Sequence, residues 1–395
     1  MRRSLLSLVC AAALLAGACS PTVKRTPDGA PIAAAEPVPV VIWSSRDLPK
    51  ELHAKVKAIE GVRWVTRVSN GMVDLVAVTG ATLPLPRRAK GAVLPTSIGA
   101  MDPSPDDGDV VAAALVAGDA VISETAARLR GMSAGNTFTL AADGVKRKFR
   151  VGAVVPDDDA RGREILIPFA HSKGLGLTAP RALISSVIAD RVGAAVATMQ
   201  ALTEGVRARI RSDGRDDAAD EGASQILNFM EIKEIFGEFT YRPTSSRFVI
   251  PDRTWEDANI VETRIPLLGL LKCNKRILPQ LNGAMHELIA RGLGGLIRTS
   301  NGCYSPRMQV GNNYALSRHA YGIAVDVNAT RNPFGETPSQ DPRLVEVMER
   351  WGFTWGGRWI VPDGMHFEFV RFVDPASPPP IAVPSTAVPS TAPDS

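Results

Sequence analysis

Two short stretches near the C-terminal end alternate between apolar and polar residues, as strands with one buried face do. Residues 323–327 read IAVDV, which places three branched apolar side chains on one face and Asp326 on the other. Residues 365–369 read MHFEF, which places His366 and Glu368 together on one face. We therefore expect two adjacent strands that present Asp326 and His366 from a rigid sheet.

The first half of the chain predicts short strands and helices separated by turns. Strands are expected where β-branched residues alternate, helices where apolar residues recur at helical spacing, and a hairpin where Asp143 and Gly144 supply a turn. The expected strands are Val38–Trp43, Arg63–Val68, Val73–Val78, Thr137–Leu140 and Lys146–Val155, and the expected helices are Leu48–Ile59 and Glu124–Leu129. Proline and glycine dominate residues 83–109, so a loop is expected there.

Helical periodicity returns in the second half. Apolar residues recur through Ile226–Phe239, a segment expected to pack at a junction between domains, and again within Cys273–Gly292 and Leu344–Trp351. Gly292 and Gly352 are expected to end the last two helices. The sequence therefore predicts an α+β protein, in which a C-terminal domain with a small antiparallel sheet and packed helices follows a separate α+β module.

Length and composition divide the chain into segments. The 395 residues leave room for two domains, and 45% hydrophobic residues suffice to bury their cores. Proline, alanine and threonine dominate the first linker, and Pro, Ser, Thr and Ala repeats dominate the end of the chain. The predicted segments are a signal peptide at 1–19, a flexible linker at 20–38, an α+β module at 39–240, a C-terminal domain at 247–373 and a disordered tail at 374–395.

The start of the chain has the layout of an export signal. Two arginines precede an apolar run from Leu5 to Leu15, which is too short for a membrane-spanning helix. The run is followed by AGAC, which resembles a lipoprotein processing site and would make Cys19 the lipidated first residue. We expect an extracytoplasmic lipoprotein of the bacterial cell envelope, anchored to a membrane through Cys19, with plain secretion as the alternative.

Charge and cysteine usage narrow the function classes. The 45 basic and 41 acidic side chains nearly balance, and no basic cluster is interleaved with aromatic residues, so nucleic acid is not expected as a partner. Cys10 leaves with the signal and Cys19 would carry lipid, which leaves Cys273 and Cys303. Outside the cytoplasm such a pair is expected to form a disulfide worth about 3 kcal/mol. Two separate buried thiols are the alternative.

Polar residues beside the two C-terminal strands form a metal-ligand set. His319, Asp326 and His366 offer two imidazoles and a carboxylate, the number of protein ligands that a catalytic zinc site uses while a fourth position holds water. Asp363 lies three residues before the last ligand and is the candidate base for that water. The sequence therefore predicts one bound Zn²⁺.

The order and spacing of these residues resemble a known family. The pattern S-x-H-x-x-G-x-A-x-D from Ser317 to Asp326, followed by D-x-x-H-F-E from Asp363 to Glu368, resembles the D-alanyl-D-alanine carboxypeptidase (VanY-like) zinc peptidases. That family also includes L-alanyl-D-glutamate endopeptidases, and the resemblance spans about Arg247 to Phe372. The resemblance implies that His319, Asp326 and His366 bind zinc and that Asp363 is the general base. It also implies that Arg307 holds the substrate carbonyl or the tetrahedral oxyanion. Many relatives carry Glu in place of Asp363, so the base is one methylene shorter here.

Further residues near the motif are candidates for orienting a ligand or lining a cleft. Glu368 is expected to orient a ligand, with an ordinary surface carboxylate as the alternative. The cleft candidates are Ser317, Tyr304, Trp355 and Trp359, with turn capping as the alternative for the serine and helix packing for the tryptophans. The cations available for a substrate carboxylate are Arg318, Arg331 and Arg358.

Residues 120–154 resemble the extracytoplasmic domain of MacB-type ABC permeases in their order of strand, short helix, spaced glycines and hairpin. This resemblance implies a small α+β module without catalysis, through which an envelope protein could be bound. No permease helices accompany it.

Three functional hypotheses follow. The first is an exported zinc peptidase that hydrolyses peptidoglycan stem peptides, as a D-alanyl-D-alanine carboxypeptidase or, alternatively, as an L-Ala-D-Glu-type endopeptidase. The second is a cell-wall protein that binds stem peptides without hydrolysing them, which the presence of all four polar residues needed for turnover disfavours. The third is an interaction module whose first domain recruits a transport or division complex.

Overall fold

The computed structural model describes residues 37–44, 46–104, 109–177, 179–206, 208–212, 226–310, 312–359, 361–374 and 376. The predicted signal peptide, Cys19, the linker up to residue 36 and nearly all of the tail lie outside these residues. Helices and strands alternate throughout the described chain, which confirms the predicted α+β class. Among the described residues, no helix has the length and apolar character needed to cross a membrane.

A twisted sheet dominates the first half of the described chain. Its strands are β1 (Val38–Ser44), β2 (Val62–Thr79), β3 (Pro95–Met101), β4 (Ala120–Ser123), β5 (Thr137–Ala142), β6 (Val145–Val155), β7 (Ile165–Pro168), β8 (Ala182–Val187) and β9 (Ala208–Arg211). Their order is β3-β7-β4-β6-β5-β2-β8-β1-β9, and β3 also pairs with β2. Six of these described strands, β2 to β7, therefore close into a barrel, and the other three extend the sheet from β2.

The barrel has an apolar interior, and short helices cover the sheet outside it. Leu75, Ile98, Phe138 and Ile167 are fully or almost fully buried within it. The helices of this half are α1 (Leu52–Lys57), α2 (Asp109–Val116), α3 (Glu124–Arg130) and α4 (Val192–Leu202). Helices α1 and α4 pack on the extension formed by β1 and β8, and Gly131 ends α3 in the left-handed conformation.

Two expectations for the barrel are wrong. The strands predicted at Arg63–Val68 and Val73–Val78 are one continuous strand, β2, which pairs successively with β8, β3 and β5. The polar residues between them continue the strand because β3 supplies hydrogen-bonding partners. The loop predicted over residues 83–109 contains β3, whose small residues are fully buried between β2 and β7, so backbone pairing outweighs local propensity there.

The second half combines short antiparallel pairs with helices. Its strands are β10 (Tyr241–Pro243), β11 (Val249–Pro251), β12 (Ile260–Ile265), β13 (Gly269–Asn274), β14 (Met308–Gln309), β15 (Asn312–Leu316), β16 (Ala324–Asp326), β17 (Phe353–Trp355) and β18 (His366–Phe369). Its helices are α5 (Phe229–Phe236), α6 (Arg253–Asn259), α7 (Leu278–Ala290) and α8 (Pro342–Arg350). The predicted helix after Cys273 is α7, but the cysteine itself lies in β13.

A three-stranded antiparallel sheet, in the order β16-β18-β17, carries the C-terminal motif. Asp326 pairs directly with His366 across β16 and β18, as the alternation predicted. Helices α7 and α8 pack on the same core, and Gly283 of α7 permits their close approach, because a Cβ there would overlap the ring of Trp351.

Helix α5 joins the two halves. Its Phe236 packs edge-on against Phe369 of β18, while its Lys233 is fully buried and bonds to both carboxylate oxygens of Glu164 at 2.9 Å. The described residues from Pro37 onward belong to one compact unit. The predicted segment Ile226–Phe239 thus contacts both halves, and the domain boundaries at residues 240 and 247 stay predictions.

Candidate metal centre

Three side chains converge on one point beside the C-terminal sheet. The Nε2 atom of His319 lies 3.2 Å from Oδ1 of Asp326 and 3.2 Å from Nδ1 of His366. The Nδ1 atom of His366 lies 3.1 Å from the same Asp326 oxygen. All three residues are buried, with 2–9% of their surface exposed. The structure therefore brings together the three ligands that the sequence singled out.

A short 3₁₀ turn, Arg318–Tyr321, positions His319. The Ser317 hydroxyl accepts a hydrogen bond from the His319 amide at the start of the turn, and Gly322 ends it with a φ of 66°. Glycine is required there because a Cβ would lie 2.8 Å from the Asn274 amide nitrogen. Ser317 thus caps a turn, which was the alternative to its place in a cleft.

Hydrogen bonds on the far sides of the two imidazoles decide which nitrogens face the cluster. Nδ1 of His319 lies 2.7 Å from the Cys303 carbonyl oxygen, and Nε2 of His366 lies 3.2 Å from a Glu368 carboxylate oxygen. Since these oxygens only accept, the two nitrogens must donate, so in the neutral form of each ring the other nitrogen, which faces Asp326, carries the lone pair that a metal needs. Glu368 therefore contacts His366 and is buried, so it is not an ordinary surface carboxylate.

The three ligand atoms fit a zinc ion. Zinc bound to nitrogen and oxygen in a tetrahedral site has bonds of about 2.0–2.1 Å, which separates neighbouring ligand atoms by about 3.3 Å. The measured separations of 3.1–3.2 Å agree with this value. Within the described residues, this trio is the group of histidine, cysteine and carboxylate side chains whose ligand atoms lie close enough to share an ion.

The close contacts within the cluster shift the pKa values of Asp326 and His366. Burial opposes ionisation of Asp326, but hydrogen bonds from His319 and His366 outweigh it and hold the pKa of that carboxyl well below its usual range. Burial likewise disfavours the charged form of His366, but Asp326 and Glu368 raise its pKa to about 10. Without metal the cluster therefore retains a proton, which a divalent cation must displace.

Asp363 lies beside this cluster and does not belong to the ligand trio. Among the described residues, its Oδ1 atom is buried and has no hydrogen-bond partner. Burial raises the pKa of Asp363, and the charge of Asp326 adds to the effect, while His366, His319 and Arg307 oppose it. A carboxylate with a raised pKa and a free oxygen is suited to accept a proton.

Arg307 supplies a cation on the same side. Its Nη2 atom lies 3.9 Å from Oδ2 of Asp326. Burial lowers the pKa of Arg307, and the charge of Arg247 contributes to the decrease while Asp326 and Asp363 oppose it. Arg247 was not singled out in the sequence. Its neighbour Phe248 pairs with Arg307 across a β-bridge, a non-local contact that spacing does not reveal.

The other predicted cleft residues divide into two groups. The Trp359 ring lies 5.2 Å from the His366 ring and is partly exposed, so it walls the cluster. Trp355 instead donates from its indole nitrogen to the Gly364 carbonyl oxygen at 2.9 Å. Tyr304 lies beside Glu256 of α6, and burial, together with this carboxylate, raises the pKa of its hydroxyl.

The three arginines proposed as substrate cations have different surroundings. Arg318 is buried and lies 3.6 Å from Glu368. Arg358 pairs with Glu349 on α8. Arg331 is exposed beyond β16. Arg318 and Arg358 each lie beside a carboxylate of the chain itself, so the structure does not support a role for either in binding a substrate carboxylate.

A disulfide bond lies next to the segment that contacts His319. The structure joins Cys273 to Cys303, as predicted, so the alternative of two separate thiols is wrong. Because the Cys303 carbonyl oxygen accepts from His319, the disulfide fixes to β13 the segment that orients this ligand.

Comparison with protein families agrees with the geometry. Residues 310–369 match the D-alanyl-D-alanine carboxypeptidase family. The carboxypeptidase-like segment includes His319, Asp326, Asp363 and His366, whereas Arg307 and the disulfide precede it. Comparison with curated protein sequences gives no match.

Two solved structures are similar to the chain. The periplasmic region of MacB from Actinobacillus actinomycetemcomitans is 12% identical, with a TM-score of 0.33, over 47% of this chain and 94% of that chain. The extracellular domain of the noncanonic ABC-type transporter YknZ from Gram-positive bacteria is 13% identical, with a TM-score of 0.30, over 44% of this chain and 98% of that chain.

Proposed function

We propose that this protein is a zinc-dependent peptidase that hydrolyses peptidoglycan stem peptides outside the cytoplasm, as a D-alanyl-D-alanine carboxypeptidase. The observation that carries the proposal is the triangle of ligand atoms from His319, Asp326 and His366, with sides of 3.1–3.2 Å, beside the partner-free oxygen of Asp363. The match of residues 310–369 to a carboxypeptidase family supports the same reaction class.

The ligand trio would hold the zinc, and the remaining residues would carry out the proton transfer. When bound, zinc supplies a Lewis acid and lowers the pKa of a water towards about 7. Asp363 accepts a proton from the attacking water and returns it to the departing amine. Its raised pKa suits both steps, because a more basic carboxylate takes a proton more readily and can donate it once neutral.

Arg307 binds the substrate carbonyl oxygen and stabilises the negative charge that develops on it. A fixed donor of this kind contributes about 3–4 kcal/mol to transition-state stabilisation. Burial favours this role, since a guanidinium near buried carboxylates interacts more strongly than one in water. Trp359 closes one side of the cleft beside His366.

The setting of the enzyme is part of the proposal. Export by the N-terminal signal, with a lipid on Cys19, would bring the peptidase to the stem peptides at a membrane surface. The first half would provide a non-catalytic module that can bind an envelope protein partner.

Hydrolysis of purified muropeptides tests the proposal. The full chain, loaded with zinc, is incubated with pentapeptide muropeptides, and the products are identified by mass spectrometry. We expect loss of one terminal alanine, which chelation abolishes and zinc restores. The His319→Ala variant is expected to lose both zinc and activity.

Other products would change the assignment. A stem split between its first two residues would identify an endopeptidase with the same catalytic residues. Zinc-loaded protein that retains muropeptides on a pull-down without altering them would identify a binding protein. In that case the proposed roles of Asp363 and Arg307 would be wrong.

A further inference from the structure

Arg318 directly precedes the candidate ligand His319 in the chain, but its side chain contacts the residues at the start of helix α5. It is 8% exposed, and its Nη2 atom donates to the Leu227 carbonyl oxygen at 2.6 Å. The guanidinium carbon lies 4.4 Å from the centre of the Phe229 ring, within the range of a cation–π contact. Two independent contacts therefore hold the guanidinium against the start of helix α5.

The third contact of Arg318 leads to the metal cluster. Its Nε atom lies 3.6 Å from Oε1 of Glu368, and Oε2 of the same carboxylate lies 3.2 Å from Nε2 of His366. Glu368 is 4% exposed, so solvent does not compete for its oxygens. The guanidinium and the imidazole thus fix the two oxygens of one carboxylate, and the rotation of the His366 ring depends on both.

Helix α5 gives Arg318 a rigid support because it is anchored in the first half of the chain. Lys233 bonds to Glu164 at 2.9 Å and to the Pro95 carbonyl oxygen at 2.5 Å. The Ser123 hydroxyl donates to the sulfur of Met230 at 2.8 Å. These partners belong to the barrel strands or their immediate ends, so the barrel determines where the helix presents Leu227 and Phe229.

We propose that Arg318 is a positioning residue for the metal centre, which couples the barrel-anchored start of α5 to the orientation of His366 through Glu368. The inference rests on the proposed function in that zinc is the ion that His366 binds. It assigns the first half of the chain a role beyond partner binding, because this half holds the support that keeps a metal ligand in place.

A double-mutant cycle on zinc affinity tests the inference. The full chain is stripped of metal, and the Kd for Zn²⁺ is measured by competition with a chromophoric chelator. Outer hydrogen-bond partners of a ligand typically contribute 10–100-fold to metal affinity. We therefore expect Arg318→Met and Glu368→Gln each to raise the zinc Kd about 10-fold or more. If Arg318 acts through Glu368, the double variant binds zinc as weakly as Glu368→Gln alone.

Two further variants make the result specific. Arg318→Lys keeps the charge near Glu368 but lacks the planar fork that contacts both the carbonyl and the ring, so intermediate affinity is expected. Arg253→Met, which removes a guanidinium that is 89% exposed, is the control and should leave the zinc Kd unchanged. The Co²⁺-loaded proteins supply a second measurement, since the absorption bands of Arg318→Met and Glu368→Gln should shift in the same way.

The outcomes separate this inference from the proposed function. Zinc affinity that is unchanged in Arg318→Met, or effects that multiply in the double variant, would overturn the positioning role and leave the peptidase assignment intact. A cycle that behaves as expected in a protein that hydrolyses no muropeptide would support the positioning role and remove the proposed function. If Arg318→Met does not fold, the double variant, which buries no unpaired carboxylate, is compared with Glu368→Gln and decides the question.

Discussion

Replacing Asp363 by asparagine should separate catalysis from metal binding. The change keeps the shape of the side chain but removes the negative charge and the basic oxygen. Asp363 stands outside the three residues whose ligand atoms lie within 4.8 Å of one another. The substitution therefore removes no metal ligand. It does remove a negative charge that interacts unfavourably with Asp326. We expect the zinc Kd of Asp363→Asn to stay within about threefold of the wild-type value, since effects of 10-fold or more belong to ligands and their partners.

The expected loss of activity follows from the chemistry of the site. A positioned general base contributes about 10²–10⁴-fold to the rate, which corresponds to about 3–5 kcal/mol in activation free energy. The Oδ1 atom of Asp363 is buried and has no partner among the described residues, so no neighbouring side chain can substitute for it at that position. We therefore expect kcat to fall by about 10²–10⁴-fold in Asp363→Asn.

Initial rates of alanine release from a pentapeptide muropeptide, measured with the zinc-saturated protein, give the result. Asp363→Glu restores the proton acceptor on a longer side chain and should recover most of the lost activity. Asp257→Asn, at a carboxylate that is 67% exposed, is the matched control. An Asp363→Asn enzyme that keeps more than a tenth of the wild-type rate would refute the assignment of the base.

Three further predictions concern stability. Removing the disulfide with Cys273→Ser and Cys303→Ser should lower the free energy of unfolding by about 3 kcal/mol, measured by urea denaturation, and an unchanged midpoint would show that the bond does not constrain the chain. Lys233→Met leaves Glu164 buried without its ammonium partner and should cost about 3–5 kcal/mol in the same assay, whereas a loss below about 1 kcal/mol would contradict the buried pair. Burial opposes the charge of Glu238, but the charges of Lys233 and Arg130 hold its pKa below the usual range, so its stabilising contribution is present above about pH 4.3 and disappears as the pH falls further. Thermal unfolding between pH 3 and 6 should therefore show a drop at the acid end that Glu238→Gln reduces.

The sequence predicted the cluster of candidate metal ligands better than the architecture around it. Alternation alone placed Asp326 and His366 on adjacent strands, and β16 and β18 pair them directly. The turn at Gly322 and the left-handed end of α3 at Gly131 also depend on nearby residues, because glycine supplies a positive φ that other residues rarely adopt. Local patterns succeed where the structure depends on nearby residues.

Features that depend on distant pairing were not accessible from the sequence. Barrel closure requires β3 to pair with both β2 and β7, and its small polar residues carry no strand pattern of their own. Arg318 was one of three candidate cations for a substrate carboxylate, whereas its guanidinium contacts the Leu227 carbonyl oxygen and Glu368. Arg247 was overlooked because a long-range β-bridge of its neighbour Phe248 brings this segment to Arg307. In each case the partner lies tens of residues away along the chain.

The most direct test of the metal centre is crystallographic. Crystals of the zinc-loaded full chain, measured on both sides of the zinc absorption edge, locate the ion by its anomalous difference density. We predict a single zinc bonded to Nε2 of His319, Nδ1 of His366 and the carboxylate of Asp326, at about 2.0–2.2 Å. Anomalous density at another position, with the three side chains hydrogen-bonded to one another and no ion between them, would contradict the account.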